Sequence, residues 1–129
     1  MNVPLSVVAW DTNGEQKTAS DETVEFAVDR IRRLDGAART VVMIKTENIQ
    51  IGVGGGNGGR VIAYYTRDNW DFFNLIGDPN EKGTAWLVTG GQPGDFDRRN
   101  IVDIPAAASA VHELIDNGNP VHYLWEKQD

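Results

Sequence analysis

Gly54, Gly56 and Gly59 satisfy the spacing G-x-G-x-x-G, which in dinucleotide-binding folds brings backbone amides at a helix N-terminus against a pyrophosphate. That chemistry needs a helix directly after the glycines. Here Arg60-Val61-Ile62-Ala63-Tyr64-Tyr65 follows, a strand pattern, so the helix dipole and the row of free amides are missing. No Lys-Ser or Lys-Thr completes a phosphate loop. No cofactor is expected, and the run from Gly52 to Gly59 reads as a tightly turned hairpin connection with positive φ angles.

The two histidines, His112 and His122, are the next candidates, as a metal or acid–base site with Glu113 or Asp116. No H-E-x-x-H and no closely spaced third ligand accompanies them, so no metal is expected. Helical spacing puts His112 beside Ser109, Glu113 and Asp116 on a polar face, where a solvated imidazole is the reading. Ser6, Ser20 and Ser109 are the only serines and none sits in a nucleophile elbow. There is no cysteine, which removes thiol nucleophiles, disulfides and thiolate metal sites. Asp95 and Asp97 have the spacing of paired carboxylates, but beside Arg98 and Arg99 they read as a solvated, salt-bridged surface. No residue is expected to be catalytic.

What remains is binding. Four tryptophans, Trp10, Trp70, Trp86 and Trp125, can serve as core mass or as interface anchors. Trp86 lies inside a strand pattern and is read as core. Trp70, flanked by Asp68, Asn69 and Asp71, is an aromatic group in an acidic loop and a candidate hot spot for a basic partner. The surrounding loops extend that candidate surface to Asp78, Glu81, Gln92, Asp95 and Asp97. The chain's net charge of −7 lies entirely in its second half: residues 68–129 carry eleven acids against Lys82, Arg98, Arg99 and Lys127, whereas residues 1–67 are balanced. Such a field repels nucleic-acid backbones and steers basic proteins.

The elements that must hold these residues follow from composition and periodicity. A chain of 129 residues with 40% hydrophobic and 24% charged residues is expected to fold as one domain spanning residues 1–129. No apolar stretch approaches a membrane span, and with no signal or lipidation motif visible the expected compartment is the cytoplasm. Val3 to Trp10 reads as a strand closed by the turn Asp11-Thr12-Asn13-Gly14. A helix capped at Ser20 or Asp21 follows, with Val24, Ala27, Val28, Ile31 and Leu34 forming its buried stripe and arginines near its end. Thr40–Lys45 and Ile49–Val53 form a hairpin through Glu47-Asn48, and Arg60–Thr66 continues the meander. Trp70–Ile76 and Thr84–Thr89 are further strands, and Gly90 to Asn100 is an exposed loop. A second helix starts near Pro105, favoured by Asp103, and stops at Gly118. Val121 to Trp125 supplies an edge strand or packs on the sheet. The expected architecture is α+β: one antiparallel sheet of about six strands carrying two helices.

The order strand, helix, meander, then Trp86-Leu87-Val88-Thr89-Gly90-Gly91-Gln92, then Asp103 to Gly118 with its Asn117-Gly118 ending, then Leu124-Trp125-Glu126, resembles the first-numbered immunity-protein family of bacterial polymorphic toxin systems. The resemblance covers almost the whole chain, and its motif residues are Trp86, Gly90, Gly91, Gln92, Gly118 and Trp125. The glycine run at Gly54 to Gly59 is longer than the family pattern. The resemblance implies an antitoxin that binds a cognate toxin, commonly a nucleic-acid or nucleotide deaminase, and occludes its active site. Two other classes stand beside it: a small α+β enzyme using His112 and nearby carboxylates, and a generic regulatory binding module.

Overall fold

The computed structural model describes residues 5–128, so Val3 and Pro4, the expected start of the first strand, lie outside it. The strands are β1 (Leu5–Thr12), β2 (Glu15–Glu22), β3 (Val41–Lys45), β4 (Gln50–Gly55), β5 (Arg60–Thr66), β6 (Phe72–Leu75), β7 (Thr84–Thr89), β8 (Gln92–Asp97), β9 (Val102–Asp103) and β10 (Trp125–Lys127). Two helices, α1 (Val24–Arg32) and α2 (Ile104–Asn117), interrupt them. Eight strands make an antiparallel sheet in the order β10-β6-β5-β4-β3-β1-β2, with β9 pairing the start of β5. The strands β7 and β8 form a separate two-stranded ribbon. The class is α+β as expected, but the single sheet of six strands is corrected to a large sheet plus a ribbon.

Both helices lie where the apolar pattern places them, although α1 ends at Arg32, before Leu34, the last residue of its expected stripe. In α1 the buried residues are Val24, Ala27, Val28 and Ile31, which face the sheet beside α2. Its N-cap is Thr23, whose hydroxyl accepts from the Phe26 amide at 3.1 Å. The expected caps, Ser20 and Asp21, belong instead to β2. Asp103 caps α2 by accepting from the Ala106 amide at 2.8 Å, and Gly118 closes it at φ 74° with its amide on the Leu114 carbonyl. The helices cover the sheet face formed by Val8, Val42, Ile44, Ile51, Val53, Ala63 and Tyr65, all buried.

Two segments not expected as strands form them. The turn after β1 is tightened to Asn13-Gly14, both at positive φ, the two-residue geometry that joins antiparallel strands. The chain then returns as β2, an exposed polar edge. Likewise Gly90 and Gly91, at φ 60° and 77°, are the turn of the β7–β8 ribbon. Gln92–Asp97 is therefore a strand rather than part of a loop, and Arg98–Asn100 is a short 3-10 turn. Pro93 is tolerated because β8 pairs on one side only. At the C-terminus the edge strand is three residues long and starts at Trp125, where the expectation began at Val121.

The ribbon packs on the sheet face opposite the helices, and the glycine run explains why it can. A methyl group built on Gly54 would lie 2.7 Å from the Thr89 side chain, and one on Gly55 would lie 3.3 Å from Leu87. Bare backbone at β4 is the seat of the ribbon. Two polar tethers hold it there. The Gly91 amide donates to the Thr40 hydroxyl at 2.9 Å, and the Val88 amide donates to the Asn57 side-chain oxygen at 3.0 Å. The Asn57 amide group in turn reaches the Gly36 carbonyl at 3.3 Å.

Thr40, 1% exposed, is itself held by Asp11. One carboxylate oxygen accepts from the Thr40 and Val41 amides at 2.6 and 3.0 Å, and the other accepts from the Thr40 hydroxyl. Thr40→Val keeps the shape but leaves the Gly91 amide and an Asp11 oxygen without their partner. A stability loss of about 1–3 kcal/mol is expected, read as a lower urea midpoint by tryptophan fluorescence together with faster amide exchange at Gly91. A midpoint equal to wild type would show that the tether contributes nothing.

Candidate functional site

The residues with chemical potential are dispersed. His112 Nδ1 lies 2.8 Å from Asp116 one turn along α2, and His122 Nδ1 lies 2.6 Å from Glu113. These are two separate pairs, and among the described residues no group of three His, Asp or Glu side chains is placed to hold a metal ion. The Glu113 side chain is only 12% exposed and also accepts from the Val121 and His122 amides at 2.9 and 2.7 Å. The His122 ring is 79% exposed. Glu113 thus fastens the segment after α2 back onto the helix. Gly54, Gly56 and Gly59 run into β5: Gly54 lies under Thr89, Gly56 at φ 115° lies against the Leu34–Gly36 backbone, and Gly59 turns at φ 76° with open space around it.

The acidic and aromatic residues form two groups at opposite ends of β5, which its seven residues put about 20 Å apart. At the Thr66 end, Asp68 accepts from the Trp70 and Asp71 amides, both at 2.9 Å. The Asp71 amide, then the Trp70 amide, hold its carboxyl below the usual carboxylate range. Asp68 is a turn former, and Asp71 pairs with Lys127 at 3.3 Å. Trp70 projects from this turn 86% exposed.

The second group surrounds the ribbon. Cross-strand register places Thr84, Trp86 and Val88 opposite Asp97, Asp95 and Pro93, so these six share one face of the ribbon. The other face, with Leu87 and Thr89, lies on β4. Trp86 is 57% exposed, which overturns its reading as core: the residue buried under the ribbon is its neighbour Leu87. Asp95 and Asp97 are exposed on the same outward row and accept no hydrogen bond from the described residues. Gln92 sits opposite Thr89, on the inward row, and is separated from them.

Asp78 and Glu81 stand near the ribbon's base, lining a cavity of about 260 Å³ with Arg60 and Arg98. The two arginines offset their charge. Asp78 is also committed to its own turn, accepting from the Asn80 amide at 2.9 Å. Of the expected surface, the structure therefore brings together Asp95 and Asp97, adds Trp86, and leaves Asp68, Trp70 and Asp71 as a distinct protrusion. Alternation in Thr84-x-Trp86-x-Val88 and Pro93-x-Asp95-x-Asp97 gives the membership of this row but not the side it faces.

The remaining motif residues have structural roles. Gly90 and Gly91 make the ribbon turn and Gly118 ends α2. Trp125 is buried, packing edge-on to Tyr65 with ring centroids 5.1 Å apart. The adjoining Glu126 binds Arg99 through two contacts of 3.1 and 3.2 Å, which ties the short edge strand to the 3-10 turn. A scan against protein-family models finds no match to this chain, and a search of curated proteins finds no relative. A functional reading has to stand on the site itself.

Glu113 gives a pH-dependent test of the framework. The His122 amide, then the His122 ring and Val121 amide, lower its pKa from 4.5 to about 2. Because the folded-state value is the lower one, its stabilising contribution is complete above about 4.5 and is lost as pH falls toward 2. Glu113→Gln should therefore be less stable than wild type at pH 6, and the gap should close on acidification. A gap independent of pH between 6 and 2 would refute the assignment.

Proposed function

We propose that this chain is a stoichiometric binding protein that neutralises a basic protein partner, and that the partner is a cognate bacterial toxin, with a deaminase as the leading class. The observation that carries the binding reading is the outward face of the β7–β8 ribbon. There a half-exposed Trp86 stands directly across from Asp95, with Asp97 two residues along the same row. A tryptophan anchor beside carboxylates that accept no hydrogen bond from the described residues combines desolvation energy with charge selection. Burying Trp86 against a partner leaves the acids at the rim, where they act mainly on the association rate. Trp70 offers a second anchor at the far end of β5. The identity of the partner as a toxin rests on the resemblance in motif order. It agrees with the concentration of negative charge in the half of the chain that builds the ribbon.

The test is co-expression with the product of a neighbouring toxin-like reading frame, followed by titration of the purified pair. Trp86→Ala should weaken binding by about 2 kcal/mol or more and abolish rescue from toxicity. Asp95→Lys with Asp97→Lys should slow association and remove most of its salt dependence, with less effect on dissociation. His112→Ala and His122→Ala should rescue like wild type, which an enzymatic antitoxin using either histidine would not allow. Retention of full affinity by the combined Trp86→Ala and Asp95→Lys variant would refute the proposed contact face.

A further inference from the structure

A second feature of the ribbon face points to a specific contact. Between the ribbon turn and the sheet lies a cleft of about 240 Å³. Ala9 and Asp11 of β1 and Val41 and Met43 of β3 line it from one face of the sheet, Ala9 being paired with Met43. Trp10, Gly14, Gln16 of β2, which is paired with Asp11, and the turn residues Gly90 and Gly91 complete it. Asp11 is the one charged side chain in the lining. The volume is below the roughly 300–1,000 Å³ of cofactor and drug-sized sites, so the cleft suits a single side chain better than a free nucleotide.

We infer that this cleft receives a long basic side chain, arginine or lysine, from the protein partner. The match is chemical at both ends. An aliphatic stem can lie along Ala9, Val41 and Met43 while its cationic head meets Asp11. An ionised carboxylate offers about four lone-pair directions. Three at Asp11 are filled by the Thr40 amide, the Thr40 hydroxyl and the Val41 amide. One remains for a donor, on the oxygen that bonds the hydroxyl, and Gln16, Gly90 and Gly91 line the same cleft. Neither arginine nor lysine of this chain lines the cleft, so no internal cation competes. The inference rests on the binding-protein reading for the source of that side chain, but its test needs no partner.

N-acetyl-arginine methylamide and N-acetyl-lysine methylamide are titrated into the isotope-labelled protein, with N-acetyl-citrulline methylamide as the uncharged control of the same stem. Saturable amide shifts at Gly90, Gly91, Met43 and Gln16 are expected from both basic compounds and not from citrulline. They should be lost in Ala9→Leu, which fills the cleft without touching Asp11. Gln16→Lys, at an exposed edge position, supplies a competing cation and should abolish the response even if Ala9→Leu proves poorly folded. Equal shifts with citrulline, shifts confined to other surfaces, no shifts, or a response that persists in Gln16→Lys would each overturn the inference. Such a failure with toxin binding intact removes the cleft alone. A basic-side-chain response combined with no toxin binding removes the proposed partner and keeps the cleft.

Discussion

Thr40 is the joint between the two layers of this protein. Its hydroxyl donates to Asp11 and accepts from Gly91, and its carbonyl accepts from the Gly55 amide at 2.9 Å. One buried residue thus connects the first strand, the end of β4 and the turn of the ribbon. A two-stranded ribbon is marginal by itself in water. Here it is fixed because β4 presents Gly54 and Gly55 where other strands present side chains, so that Thr89 and Leu87 approach the sheet backbone directly. Close approach without the polar tethers would bury unsatisfied amides, and tethers without the glycines would meet a steric block. The two features are needed together.

That dependence explains which parts of the fold were legible. The helices announce themselves through a 3.6-residue apolar stripe, Val24, Ala27, Val28 and Ile31 in α1 and Ala107, Ala110, Val111 and Leu114 in α2, whose ends Asp103 and Gly118 also mark, whereas the Thr23 cap of α1 is masked by the equally good capping types Ser20 and Asp21 just before it. Strands β3, β4, β5 and β7 carry β-branched or aromatic residues. In contrast, β2 is an edge with both faces largely in solvent, so Glu15–Glu22 has no apolar alternation to read. Strand β8 contains proline, glycine and two acids and resembles a loop in composition. Its strand character comes from the Gly90-Gly91 turn and from pairing with β7. Periodicity also could not orient Trp86. Both rows of β7 hold apolar residues, Ala85 and Leu87 on one and Trp86 and Val88 on the other, and the choice between them is made by the glycines at positions 54 and 55.

The acidic excess divides in the same way. Sequence counts every carboxylate in the second half equally, but the fold spends several on structure. Asp68 and Asp78 close turns, Asp103 caps α2, Glu113 fastens the segment after α2, and Glu126 holds Arg99. A carboxylate bonded to backbone amides contributes to the long-range field, with part of its acceptor capacity already used. Asp95 and Asp97 are different, because they stand on an exposed strand face with their acceptor capacity uncommitted. The candidate interface is therefore narrower than the charge distribution suggests and is centred on the ribbon.

This puts the proposed binding surface on the element whose position depends most on the Thr40 joint. A tryptophan carried on a clamped strand is already oriented, so little rotational freedom is lost when a partner covers it. Trp70, on an exposed turn closed by Asp68, has only local hydrogen bonds to orient it. The same arrangement couples fold to function: a partner that binds only the docked ribbon must stabilise docking in proportion to its occupancy. Loosening the Asp11–Thr40–Gly91 connection must in turn lower apparent affinity even where no contact residue has changed. Stability of the ribbon and strength of binding are thus two readings of one equilibrium.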